Sequence, residues 1–465
     1  MTITNPRAAG QARGLADLLD VASRAPGPRP LVASTRPTDP VDPIALFAAA
    51  RAQDLEAALW VQPAAGRSIV GIGRAWAFEG GGRDRFTTAT AAWRAVLADS
   101  VGDAPLLIGG LGFTGETPAG DDAWAPFGAA SLVLPTFAVS RDGADTLTIS
   151  IAPGRHDDHP DADDVDRAWQ SVLAGIRDGE ATPQNRLGMV ESRPDRAAWD
   201  RTVGMFAGAV GRGRIDKVVL ARRVRFEADD ALDIQAALRH LARTAPESTT
   251  FAFSRGGTTF LGATPERLAR TDGRAFETVA IAGSAPRGTD PETDRRFAAA
   301  LLASEKDREE HAVVVDTLRA GLTSIAESLV VAETPSILPL RHVQHLMTPM
   351  TGTLRDDAGL LALAGLLHPT PAVGGEPRDV ALDLIAEHEG FDRGWYAGPI
   401  GWLGADGDGE LMVALRCALV RGSGAVLFAG CGIVADSDAE REWEESGLKL
   451  RTMIGALGGE VEESA

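Results

Sequence analysis

Across its first 190 positions the chain never sustains an apolar pattern for long. Runs at 58–61, 68–78, 105–108, 129–137 and 146–151 are each cut off by glycine or proline, residues the chain holds in quantity, 52 and 27 respectively. Short runs separated by turn residues predict strands of a large sheet, not the alternating strand and helix of a βαβ fold. With 465 residues the chain has room for two to four domains, or for one unusually large unit with an ample core. No internal repeat and no low-complexity tract is visible.

Composition narrows the function classes. Apolar residues make up 44% and charged residues 24%, as in an ordinary globular protein. The longest apolar run, at 360–367, is far short of the ~20 residues that span a bilayer. The first thirty residues lack a basic stretch followed by an apolar one, so the expectation is a cytoplasmic protein. A net charge of −19 argues against nucleic-acid and anionic-membrane partners, which are bound mainly through phosphate neutralisation. Two cysteines, Cys417 and Cys431, exclude a disulfide scaffold and read as buried, inert thiols on strands.

Two motifs are set aside. Gly110-Leu-Gly112-Phe-Thr-Gly115 spells G-x-G-x-x-G after an apolar run, but the prolines and glycines that follow leave no helix to receive a pyrophosphate, so these read as turn glycines. The acidic segment 156–166 has two histidines but lacks the central glycine and terminal glutamate of a calcium loop, and reads as a solvated connector.

The second half is more sharply patterned. Residues 217–226 predict a strand, and 249–253 with 258–261 a hairpin around Gly256-Gly257. Asp290-Pro291 opens a helix whose periodicity continues to about 327. Residues 410–420 and 425–429 predict strands, with Arg416 mid-strand, and Ser437-Asp-Ala-Glu440 reads as a capping box for a last helix ending near 457. Asp307 and Glu310 are three apart on the first of these helices, and Glu442 and Glu445 three apart on the last, so each pair shares a helical face. Two such faces opposed would form an all-oxygen site of the kind Mg²⁺ prefers, although acids at this spacing also occur on plain solvated faces.

All but three of the 46 basic residues are arginine. Arginine serves wherever a cation is needed, and lysine is irreplaceable only where the amine must lose its proton. The three are Lys217, Lys306 and Lys449, each beside residues that look chemical for other reasons. Lys449 stands four residues beyond Glu445, and Tyr396, the only tyrosine, lies in a glycine-flanked turn, Arg393-Gly-Trp-Tyr-Ala-Gly398.

Eight strings carry a resemblance: Lys217-Val-Val-Leu-Ala-Arg222, Leu261-Gly-Ala-Thr-Pro-Glu266, Ile281-Ala-Gly-Ser284, Ser304-Glu-Lys-Asp-Arg-Glu-Glu-His311, Val343-Gln-His-Leu346, His368-Pro-Thr-Pro371, Phe428-Ala-Gly-Cys-Gly432 and Glu442-Trp-Glu-Glu445. In this order they resemble the chorismate-utilising enzymes, the group of isochorismate, salicylate, anthranilate and aminodeoxychorismate synthases, strongly from 193 to 457 and loosely before 190. Met347-Thr-Pro349, the Ala-Val-Gly-Gly that ends at Gly375, and Ala372, where siblings tend to carry threonine, resemble the isochorismate synthase branch.

The resemblance implies an α+β fold, one large unit of layered antiparallel β-sheets with helices packed outside, in which residues 1–190 complete the sandwich and 191–465 form the chorismate-binding region. It implies a Mg²⁺-dependent isomerase that adds water at C2 of chorismate as the C4 hydroxyl leaves, feeding menaquinone or a siderophore, with no amidotransferase partner. Lys217 matches the general base and Glu266 the acid. Glu310 and Glu445 match metal ligands, supported by Asp307 and Glu442. Tyr396 and Arg416, with amides near Gly430 and Gly432, match the grip on the enolpyruvyl carboxylate. Ser284, His345, Ala372 and Lys449 complete the expected substrate contacts, while Lys306 is expected to point elsewhere. Alternatives are a salicylate synthase and a non-enzymatic acidic ligand-binding protein.

Overall fold

The computed structural model describes residues 14–24, 30–116, 124–152, 154, 160–177, 179, 186–339, 343–356 and 358–459. The fold is α+β, built on two large sheets. A 13-stranded sheet runs through Leu187–Arg193, Lys217–Ala228, Gly424–Ile433, Cys417–Arg421, Thr258–Thr264, Thr249–Arg255, Ala57–Gln62, Arg67–Ile72, Phe137–Asp142, Ala144–Ile151, Val32–Pro37 and Val101–Gly102, with Gly375–Glu376 paired to the side of Lys217–Ala228. A 10-stranded sheet runs through Ala326–Val331, Val343–Leu354, Ala275–Pro286, Arg267–Asp272, Gly409–Val413, Pro399–Gly404, Leu106–Leu111, Ala130–Leu134 and Trp76–Gly80, with Ser336–Pro339 beside Val343–Leu354. Pairing is antiparallel apart from Val32–Pro37 with Val101–Gly102.

The period of two along each strand gives the 13-stranded sheet two apolar faces. Phe251, Phe253 and Phe260 point inward and share one core with Leu107, Ile108, Ile400 and Leu411 of the other sheet. Leu59, Val70, Ala252 and Leu261 point the other way, under Phe47, Trp169, Leu238 and Met453 of four covering helices. Among the described residues no helix is long and apolar enough to cross a membrane.

The sheet order holds a repeat that the sequence does not display. Outward from the central pair Ala57–Gln62 and Thr249–Arg255, each direction meets the next strand in the chain, then the strand returning from the other sheet, then its hairpin partner, then the strand that opened that half. The 10-stranded sheet repeats the scheme about Leu106–Leu111 and Pro399–Gly404. Each half has a matching pair of short crossings between the sheets: from Ile72 to Trp76 and from Leu134 to Phe137 in the first, from Thr264 to Arg267 and from Val413 to Cys417 in the second. Glycine permits both pairs of crossings to touch, since a Cβ on Gly71 would sit 2.8 Å from Pro135 and one on Gly262 2.7 Å from the carbonyl of Arg416.

These crossings correct several expectations. The run 68–78 is two strands in different sheets, as are 129–137 and 410–420. Arg416 is therefore not mid-strand; it occupies the connection, with φ +48°, a left-handed conformation rare for a residue with a side chain. The helix expected to reach 327 breaks at Ser304, whose extended backbone ends Pro291–Ala303 and whose hydroxyl accepts from the Asp307 amide to start Glu305–Thr323. The last helix, Ala439–Ala456, is capped by Asp438 rather than Ser437. Of the acidic segment, 155–159 lie outside the described residues, and Asp161 caps a helix, Ala162–Ala174, rather than continuing a connector. Gly110 is a strand residue, not a turn residue: a Cβ there would meet the Trp395 ring at 2.6 Å. Cys417 and Cys431 are buried thiols, as expected.

Candidate active site

The second half's two crossings form the floor of a cavity of about 290 Å³, closed at the sides by Glu305–Thr323 and Ala439–Ala456. All fourteen residues singled out above line it: Lys217, Glu266, Ser284, Asp307, Glu310, His345, Ala372, Tyr396, Arg416, Gly430, Gly432, Glu442, Glu445 and Lys449. Lys306 also lines it, against expectation, with its amine 3.3 Å from Asp436.

Lys217 is the first residue of its strand and is buried, 4% exposed. Its Nζ lies 2.5 Å from Oε1 of Glu310. Gly432, opposite on Gly424–Ile433, makes room for it, because a Cβ there would fall 2.5 Å from Cε of Lys217. Glu266 is fixed by its own backbone: its carbonyl accepts from the Val413 amide at 2.9 Å, across the second crossing. Burial pushes its carboxyl up to about 7, even with Lys217, Lys449 and Arg416 pulling the other way.

Arg416 carries the clearest electrostatic signal. Among the described residues its guanidinium has no ion pair, and burial holds its pKa below the usual arginine value. A buried, unpaired guanidinium is costly unless an anion is supplied from outside. Beside it Tyr396 stacks on Phe428, ring centroids 5.1 Å apart, and burial drives its phenol pKa up. The Tyr396 hydroxyl would stand 3.0 Å from a Cβ on Gly430, so glycine there leaves the approach open.

Ser284 follows a bulge in Ala275–Pro286, where Gly283 takes φ +76°. Its hydroxyl lies 2.9 Å from Nδ1 of His345, whose pKa falls to about 3 through burial and the nearby Arg416 and Lys449, so the imidazole is neutral. Lys449 bonds both Glu445 Oε1 at 2.7 Å and the Gly430 carbonyl at 2.9 Å.

Of the four helix acids, Glu310 and Glu445 are held by lysines. Burial and then Glu445 push Glu442 up to about 7. Among the described residues Glu442, Glu445 and Cys431 have ligand atoms within 4.8 Å of one another. Carboxylate oxygens are hard donors and fit a hard divalent cation; the Cys431 thiol, donating to the Glu442 carbonyl at 3.2 Å, does not belong to such a set.

Sequence reasoning missed Glu389 and Arg393, a buried ion pair directly behind the cavity wall. Their four-residue spacing just before the Gly-Trp-Tyr turn was the available signal.

Residues 17–458 match the family profile described as chorismate binding enzyme. The chain belongs to the chorismate-binding enzyme family. It is 38% identical over 441 residues to the salicylate biosynthesis isochorismate synthase of Pseudomonas aeruginosa, covering 92% of this chain and 91% of that one. It is 33% identical to the isochorismate synthase MenF of Bacillus subtilis, covering 92% and 94%. The solved structure of MenF, the menaquinone-specific isochorismate synthase from Escherichia coli, superposes with a TM-score of 0.77 at 26% identity, covering 95% of this chain and 99% of that one. These likenesses put the chain on the isochorismate synthase branch of the chorismate-binding enzymes.

Proposed function

We propose that this chain is an isochorismate synthase, interconverting chorismate and isochorismate by adding water at C2 as the C4 hydroxyl leaves. The observation that carries the reading is one cavity holding the Lys217 amine, a Glu266 carboxyl with a pKa near 7 and the Arg416 guanidinium, which has no ion pair among the described residues. A displacement of hydroxyl by hydroxyl needs a proton removed at one ring position and one delivered at another. Lys217, acting as a neutral amine, takes the proton of the attacking water, and Glu310 lies against the ammonium that results. Glu266, protonated below about pH 7, delivers a proton to the departing hydroxyl. Arg416 and Tyr396, with amides near Gly430 and Gly432, hold the enolpyruvyl carboxylate. Neutral His345 steadies Ser284 against the substrate, and Ala372 faces the ring.

Asp307, Glu310, Glu442 and Glu445 are the residues that would hold Mg²⁺, with Lys449 near them. Bound there, the ion supplies positive charge for the substrate's ring carboxylate. Since water is the nucleophile, the reading calls for no ammonia-supplying amidotransferase subunit, and no nucleic-acid or membrane partner. Residues 1–190 and 191–465 act as one unit, consistent with strands from both in each sheet.

Incubation with chorismate and Mg²⁺, followed by chromatographic identification of products, tests the activity. Isochorismate is expected; salicylate with pyruvate would move the chain to the sibling activity, and unchanged chorismate would leave an acidic ligand-binding protein. EDTA should stop turnover and added Mg²⁺ restore it, whereas a rate indifferent to both would remove the four acids as a metal site. Gly432→Ala should cut kcat by about 100-fold, because its Cβ displaces the Lys217 amine by a fraction of an ångström or more. Wild-type kinetics in that variant would mean Lys217 moves freely. Ala372→Thr should raise the share of pyruvate among the products, and an unaltered product ratio would locate that choice elsewhere.

A further inference from the structure

The strand Lys217–Ala228 has an incomplete edge. Gly375–Glu376 pairs with it at Lys217 and Val218, and Leu187–Arg193 pairs with it only from Arg223 onward. Between them the Val219 amide donates to the Gly374 carbonyl at 2.8 Å, while the Val219 carbonyl and the Ala221 amide meet no strand among the described residues on that side. Glu389 and Arg393 fill the gap: Oε1 of Glu389 accepts from the Ala221 amide at 2.7 Å, and Nη2 of Arg393 donates to the Val219 carbonyl at 2.9 Å. The two side chains are joined by paired bonds of 2.6 Å and are 1% and 3% exposed. An ion pair thus does the hydrogen bonding of an absent strand.

The same guanidinium reaches further. Its Nη1 donates to the Val373 carbonyl at 2.8 Å, next to Ala372, and its plane lies 4.2 Å from the Phe113 ring centre. The Arg393 carbonyl accepts from the Tyr396 amide at 3.0 Å, opening the turn that presents the tyrosine. Val219, Val373 and Tyr396 all line the cavity. Arginine is needed for this, since one planar fork serves a carboxylate and two carbonyls at once, which an ammonium on a flexible stem does not do.

We propose that Glu389 and Arg393 form a positioning pair that sets the Lys217 strand against the Ala372 loop and the Tyr396 turn, and that turnover depends on it. The inference rests on the reading of Lys217 as the base. Neither residue lines the cavity, and neither contacts Asp307, Glu442 or Arg416. Disturbing the pair therefore shifts the Lys217 strand and the Tyr396 turn while leaving Asp307, Glu442 and Arg416 in place. Displacements of about 1 Å around a reacting centre cost on the order of 100-fold in rate.

The test compares full-length wild type with Arg393→Lys, which keeps the charge and loses the fork, and with Glu389→Gln, which keeps an acceptor for Ala221 and loses the charge. Folded protein is quantified by circular dichroism before kinetics. In at least one variant that folds, kcat per folded molecule should fall by about 10- to 100-fold, with the half-saturating Mg²⁺ concentration within about threefold of wild type. Wild-type kcat in the folded variants, or losses shared equally by kcat and Mg²⁺ dependence, would overturn the proposal and leave the pair a stabilising element only. Should neither variant fold, Arg393→Gln/Glu389→Gln removes both charges together, and wild-type kcat in it would count the same way. A wild-type protein that leaves chorismate untouched would instead overturn the functional reading itself.

Discussion

Lys217→Arg is expected to lower turnover by about 10²- to 10⁴-fold, the range a positioned general base contributes, while the protein still folds. The two side chains carry the same charge and similar length, so an ion pair with Glu310 survives the exchange. What is lost is the capacity to exist without a proton, because a guanidinium stays charged at any pH where the fold persists. Steady-state kinetics with a circular dichroism control decide the matter. Activity within a few-fold of wild type would show that the amine serves only as a cation, and another base would have to be found in the cavity.

Glu266→Gln should produce two opposite effects. Turnover falls by a similar 10²- to 10⁴-fold, since an amide cannot deliver a proton. Stability at alkaline pH rises. In the unfolded chain the carboxyl ionises near 4.5, while in the folded chain burial keeps it protonated up to about 7. Between those values the unfolded state sheds a proton that the folded state retains, so the stability present below pH 4.5 is lost progressively until pH 7 and stays lost above it. A shift of this size, already net of the attraction to Lys217, Lys449 and Arg416, corresponds to about 3 kcal/mol. Thermal melts at pH 4.5 and pH 8 should show a higher Tm for the variant at pH 8 only. For the wild-type enzyme the same group predicts kcat declining as pH rises past about 7. A variant that is less stable at pH 8 would mean that folding favours the ionised carboxylate, so that its pKa is not raised and it cannot be the acid.

Much of the site was legible because its chemistry sits in short strings. Lys217, Glu266, the helix acids and the glycines opposite them are each recognisable within six or eight residues, and chain order alone listed them together. What stayed hidden depends on which sheet a strand joins. Alternation along 410–420 looks the same whether the strand continues or leaves one sheet for another, and no glycine announces the left-handed turn that Arg416 makes. Ser304 was passed over for a related reason: the apolar period resumes almost in phase after it, so the pattern reads through a break that only the cap reveals. Glu389 and Arg393 were hidden because their partners are backbone groups from distant segments, and backbone atoms leave no trace in residue identity.

The twofold sheet order gives the molecule a silent twin of its own reaction centre. Where the second half places Glu266 and Arg416, the corresponding bends of the first carry Ala75 and Pro135, and the guanidinium beside them, Arg74, is already paired with Glu56 and Glu79. One half has become masonry while the other keeps the trade, so damage near Gly71 or Pro135 should surface as a lower melting point, and damage near Gly262 or Arg416 as a slower enzyme.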